Sequence, residues 1–140
     1  MTGQLTIQFA QEFLDKNFAP WITDLKPKLI DCDRGHARID IPISPHIERV
    51  GQIVCGQAMS ALADTTMVFA CFSYMDKLIP VATTTLDIQF FRPALGDTLS
   101  CMAEVERAGK ALFFLSAKLF TLPNEKVVAK STATFYLPPA

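Results

Sequence analysis

Residues 54–71 read V-C-G-Q-A-M-S-A-L-A-D-T-T-M-V-F-A-C, and the aspartate inside them decides how the rest of the chain is read. Across residues 50–75 Asp64 is the sole formally charged side chain, and its neighbours are those of a buried helix. A lone buried carboxylate costs several kcal/mol even after relaxation. Either partners not evident in the sequence relieve that cost, or the carboxylate is kept for chemistry. Residues 53–75 are long enough to span a bilayer. A central aspartate, however, costs about 2.5–3.5 kcal/mol on insertion scales, and Gly56, Gln57, Ser60, Thr65 and Thr66 add to it. A core helix is favoured over a membrane span.

Composition sets the frame for that helix. A chain of 140 residues hides roughly 70% of its unfolded surface, enough for one core, and a single domain is expected over residues 1–140. Half of the residues are hydrophobic and 19% are charged. This excludes disorder and leans towards a compact or oligomeric protein. The net charge is −1, and with Lys and Arg scattered singly no basic run tracks a phosphate backbone, which argues against nucleic acid as a partner. Cys32, Cys55, Cys71 and Cys101 form no C-x-x-C pair and have no histidine at zinc-ligand spacing. That argues against a metal site and a redox motif, and reads as reduced thiols in a cytoplasmic protein. The opening M-T-G-Q-L-T-I-Q-F lacks the basic and long apolar regions of a signal peptide.

Residues 4–21 place Leu5, Phe9, Phe13 and Phe18 on roughly one helical face, predicting a short amphipathic N-terminal helix. Residues 28–43 read as a hairpin turning at Asp33, Arg34 and Gly35. Residues 44–50 read as a loop leading to the long helix, which residues 74–80 close. Downstream, residues 83–92, 97–107, 110–121 and 126–137 are four strand-like runs. The connection R-P-A-L-G-D is short, the next two are hairpin-sized, and antiparallel pairing is expected. An apolar helix that can face water nowhere, with a five- or six-stranded sheet needing cover, predicts an α+β fold in which the sheet wraps the helix.

The spacing Gly51-x-x-x-Cys55-Gly56-Gln57-x-x-x-x-Leu62-Ala63-Asp64-Thr65 resembles the signature of the phenylacetate-type (PaaI-like) acyl-CoA thioesterases of the hotdog fold. The family's His-Gly-Gly turn and its Leu-Ala-Asp-Thr stand at this distance. The run T-T-T-L-D-I-Q-F-F-R-P-A and the later G-D-T-L and G-K are similar to further family elements. The resemblance implies hydrolysis of an acyl- or aryl-acyl-CoA. Asp64 would be nucleophile or general base, the Gly56 amide would polarise the carbonyl, and Thr83, ten residues before Pro93, would hold the attacking water. No cofactor is implied, since coenzyme A enters as part of the substrate. An amide at the start of a helix, with no side chain in the way, suits an oxyanion.

Two positions depart from the family: Cys55 stands for its histidine and Gln57 for its second glycine. Gly51 is displaced by one position from the commoner spacing, so His46, Glu48 or Arg49 takes the place of an upstream polar residue that assists the substrate. Arg92 and Lys110 are candidates for coenzyme A phosphates, although lone surface cations are usually only solvated. Cys55 also reads as a small packed residue, Gln57 as a donor to substrate or to an opposing helix, and Thr83 as an ordinary strand threonine. Gly56 and Asp64 on one helix are about 12 Å apart, too far to meet one carbonyl. A homodimer with shared sites, paired again into a tetramer, is expected. Two alternatives remain: a non-catalytic hotdog acyl-CoA-binding protein, and a hydroxyacyl-thioester dehydratase, which wants a histidine where Cys55 stands.

Overall fold

The computed structural model describes residues 5–139. Two N-terminal helices, α1 (Ile7–Asn17) and the single turn α2 (Pro20–Thr23), lead into strands β1 (Lys28–Asp33) and β2 (His36–Pro42). A 3-10 turn at Pro45–Ile47 and the two-residue strands β3 (Glu48–Arg49) and β4 (Ile53–Val54) deliver the chain to α3 (Gly56–Met75). Then follow β5 (Ala82–Phe90), β6 (Thr98–Ala108), β7 (Leu112–Leu122) and β8 (Lys126–Tyr136).

Six strands form one antiparallel sheet in the order β1-β2-β6-β7-β8-β5. Alternate side chains, such as Ile39 and Ile41, Leu99 and Cys101, and Leu115 and Leu119, are buried with Leu62, Met67, Phe69 and Phe72 of α3 in one core. Burial of each large side chain is worth about 1.5–3 kcal/mol. The helix lies against β2, β6 and β7, so the expected sheet wrapped about a central helix is the hotdog arrangement observed. Among the described residues no helix is long and apolar enough to cross a membrane.

Some local features depart from the simple pattern. The short connection after β5 does not pair the two strands it joins. Phe91 and Arg92 donate their amides to the Val128 carbonyl, and the chain then crosses to Asp97, which bonds to Leu122 and Ile43. The strand that follows, β6, inserts between β2 and β7, leaving β5 beside β8 at the edge. The N-terminal helix is short, as Asn17 and Pro20 imply: α1 stops at Asn17, Phe18 leaves it in an extended conformation, and Pro20 opens the separate turn α2. The buried face of α1 is Ala10 and Leu14, while Phe9 is exposed; Gln4, where the helix was expected to begin, lies outside the described residues. Residues 44–50 hold the 3-10 turn and β3 rather than plain loop.

The two sheet edges are treated differently. At β1, Gln11 of α1 accepts the Leu29 amide at 2.7 Å and donates to the Pro27 carbonyl at 3.1 Å, covering the strand's outer side. Among the described residues no helix covers the free edge of β5, whose nine residues are mostly exposed.

Ser73 joins the end of α3 to the β1–β2 turn. Its hydroxyl accepts the Gly35 amide at 2.9 Å and lies within donating distance of the Ala70 and His36 carbonyls. Gly35 is buried at φ 85°, a left-handed conformation that favours glycine. Ser73→Ala strands that amide without a partner. It is expected to lower stability by about 1–3 kcal/mol, read as a lower urea midpoint at unchanged slope.

Candidate active site

The helix α3 opens without a side-chain cap. Cys55 precedes it in an extended conformation and makes no capping hydrogen bond. The first-turn amides of Gly56 and Gln57 therefore mark the positive end of the helix. A Cβ built on Gly56 would stand 3.3 Å from Cζ of Phe90, so the missing side chain is what lets a ring approach the backbone here.

Two turns further on, half-buried Asp64 faces β5, and the Thr83 hydroxyl donates to its Oδ1 at 2.7 Å. Two opposed influences act on this carboxyl. Burial holds it above the usual carboxylate range, and the Thr83 hydrogen bond, which favours the charged form, pulls it back. Three consecutive threonines could have met Asp64, and a bulge selects among them. Thr83 pairs with Phe135 and Thr85 with Thr134, so Thr84 is the extra residue, its hydroxyl spent on the Thr134 carbonyl at 3.0 Å.

Gly56, Gln57, Ser60, Asp64 and Val68 line a cleft of about 760 Å³. Strand β5 contributes Thr83, Leu86 and Phe90, and the segment around α2 contributes Phe18, Trp21 and Ile22. Asp64 is the sole ionisable side chain among these lining residues. A wider depression of about 960 Å³ lies over outward-facing strand residues such as Arg38, Glu104 and Lys118. It holds none of the residues whose pattern suggested chemistry, so the smaller cleft is the candidate.

Of the residues singled out in the sequence, Asp64, Gly56, Thr83 and Gln57 share this cleft. Cys55 does not line it and packs against the core. His46 is exposed in the 3-10 turn, and Glu48 and Arg49 sit in the β3–β4 ladder, which meets the 92–94 segment through the bond from Val54 to Ala94. That puts these three and Arg92 towards the N-terminal end of α3, outside the cleft wall. Lys110 lies in the β6–β7 turn beside the start of β5, at the opposite end of that strand from Arg92. The other three cysteines are buried, which pushes their thiols up to about 12. Among the described residues no cluster of His, Cys, Asp and Glu could hold a metal ion.

Trp21, Phe18 and Phe90 were missed as cleft residues. Helical periodicity spent Phe18 on the α1 face and gave Trp21 no partner, and nothing local in the sequence folds that segment back onto α3.

A hydroxyl-bound carboxylate can accept a proton from water or attack an electrophilic carbon, and the amides of an uncapped helix start, here two turns away along α3, can steady developing negative charge. Known proteins bear on this arrangement. The chain is 24% identical over 131 residues, 92% of its length and 98% of the other's, to a Thermoplasma acidophilum protein provisionally named an esterase. Its fold superposes on the E. coli PaaI protein from the phenylacetic acid degradation operon with a TM-score of 0.83 at 23% identity, covering 95% of this chain and 93% of that one. Zebra fish thioesterase superfamily member 2 gives a TM-score of 0.85 at 16% identity, covering 96% and 100%. The sequence profile of the thioesterase superfamily matches residues 51–128, more than half of the chain and all of α3, so this chain belongs to that superfamily and is a thioester hydrolase.

Proposed function

We propose that the protein hydrolyses acyl- or aryl-acyl-CoA thioesters at a site shared between two subunits, with Asp64 as nucleophile or general base. The observation that carries this reading is the Thr83–Asp64 hydrogen bond inside the cleft that α3 opens at Gly56. As general base, Asp64 takes a proton from a water whose oxygen adds to the thioester carbon, and the Thr83 oxygen is free to accept that water's second hydrogen. As nucleophile, Asp64 adds directly and water then cleaves the mixed anhydride. Either way the C–S bond breaks, coenzyme A leaves as the thiolate, and it regains a proton. The Gly56 amide stabilises the oxyanion in both routes. No cofactor enters this scheme.

Sharing follows from length. Gly56 and Asp64 are eight residues apart on α3, about 12 Å by helical rise, whereas reacting atoms must come within about 3–3.5 Å. A second copy supports the reading from another direction, because β5 is an uncovered edge of nine residues without Lys or Pro. Such an edge is a template for strand pairing. Two β5 strands meeting about a two-fold axis bring two antiparallel α3 helices together, with Gly56 of one near Asp64 of the other.

Asp64→Asn is expected to keep the fold and lower kcat by at least about a hundredfold, followed as thiol release from acyl-CoA. Retained turnover refutes the assignment, and saturable binding without release in the unaltered protein points to a binding protein instead. The same variant has a stability signature. Folding favours the protonated acid, so Asp64's contribution is fully present below the unfolded value near 3.8 and is lost as pH rises through the raised folded value. Asp64→Asn is therefore expected to be more stable than the wild type at neutral pH, with the gain disappearing in acid.

Turnover requires the carboxylate, so the acid limb of kcat/KM follows Asp64. Thr83→Val removes the hydrogen bond that lowers its pKa and is expected to move that limb to higher pH, and an unmoved limb counts against Thr83 as Asp64's partner.

Mixing tests the shared site. Equal amounts of an Asp64→Asn chain and a Gly56→Val chain, each inactive alone, are expected to recover about a quarter of wild-type turnover. Half of the dimers are mixed and each mixed dimer holds one intact site. No recovery despite proven exchange refutes sharing.

A further inference from the structure

The segment around α2 reaches the cleft from outside the sheet-and-helix unit and is firmly held. Phe18 stacks on Phe69 of α3 with ring centroids 5.6 Å apart, and Phe13 meets Phe18 and Phe72 edge-on. Ile22 and Leu25 are buried, and Pro20 opens α2 with its φ already set. On this fixed backbone Trp21 is treated oppositely: it is 58% exposed, although it lines the cleft. A singly exposed apolar side chain normally needs no explanation. Trp21 is set apart because the cleft it lines is also lined by Asp64, Val68 and Leu86.

We propose that Trp21 is the specificity-determining residue of this site, its indole lying along the acyl group of the thioester and favouring uncharged, flat groups over the smallest ones. The inference rests on Asp64 being the reacting carboxylate. Position along α3 supports it. Phe90 stands over Gly56, two turns before Asp64, while Phe18 stands against Phe69, just over one turn beyond it. Past Asp64 the cleft therefore runs between apolar walls, Val68 on one side and the Phe18–Ile22 segment on the other. By helical rise this stretch is about 7 Å long, which suits a single ring or a short chain. Charge restricts the occupant as well. With Asp64 the sole ionisable lining residue that this chain supplies, an acyl group ending in a carboxylate meets from it a like charge and no cation. A neutral flat group meets neither penalty and gains by stacking on the indole.

The test uses the whole chain and its single tryptophan. Titration with S-phenethyl-CoA, a thioether that cannot be hydrolysed, is expected to change Trp21 emission saturably, whereas coenzyme A alone leaves it unchanged. The ratio of kcat/KM for phenylacetyl-CoA to that for acetyl-CoA is expected to fall about tenfold in Trp21→Ala and to return largely in Trp21→Phe. An unchanged ratio in Trp21→Ala, or emission indifferent to bound thioether, overturns the assignment. The emission arm uses the native side chain, so it decides the matter even where Trp21→Ala fails to fold. Asp64→Asn separates the two layers: wild-type turnover there defeats the reading of the reacting carboxylate, while lost turnover with unchanged selectivity in Trp21→Ala defeats Trp21 alone.

Discussion

A carboxylate on a helix otherwise spent on packing has to be answered by something, and here a single hydroxyl from a neighbouring strand answers it. The Thr83–Asp64 bond dictates much around it. For Thr83 to arrive, β5 must lie along the one stripe of α3 that the sheet does not bury, the stripe of Gly56, Ser60, Asp64 and Val68 at four-residue spacing. Among the described residues the sheet edge beyond β5 is bare. The opposite edge, with no chemistry beside it, is covered by Gln11.

Much of this was legible in the sequence because it depends on local spacing. The extent of α3 follows from a mostly apolar run with a single formal charge, and the Asp33–Arg34–Gly35 turn from its residue types. Asp64 stands out because it is the lone charge in its segment. The eight-residue interval to Gly56 could be counted, and so could the ten residues from Thr83 to Pro93.

What could not be counted is whatever depends on contacts between distant parts of the chain. The crossing that carries the chain from β5 to the middle of the sheet leaves no local mark, since the six residues R-P-A-L-G-D serve a hairpin as readily as a crossover. The bulge at Thr84 is likewise silent in T-T-T, although it decides which hydroxyl meets Asp64. Trp21 belongs to the same class. Its place in the cleft depends on the stacking of Phe18 on Phe69, residues separated by most of the first half of the chain.

The sheet order also orders assembly. The strands β6, β7 and β8 form a meander of local hairpins, whereas β5 pairs only with β8, the last strand to be made. Loop-closure entropy favours the local pairings first. The ladder that steadies Thr83 thus waits for β8, and the candidate site is completed late although none of the side chains lining it comes from β8. A chain cut short before β8 keeps its carboxylate, its helix start and its threonine, yet loses the scaffold that brings them together.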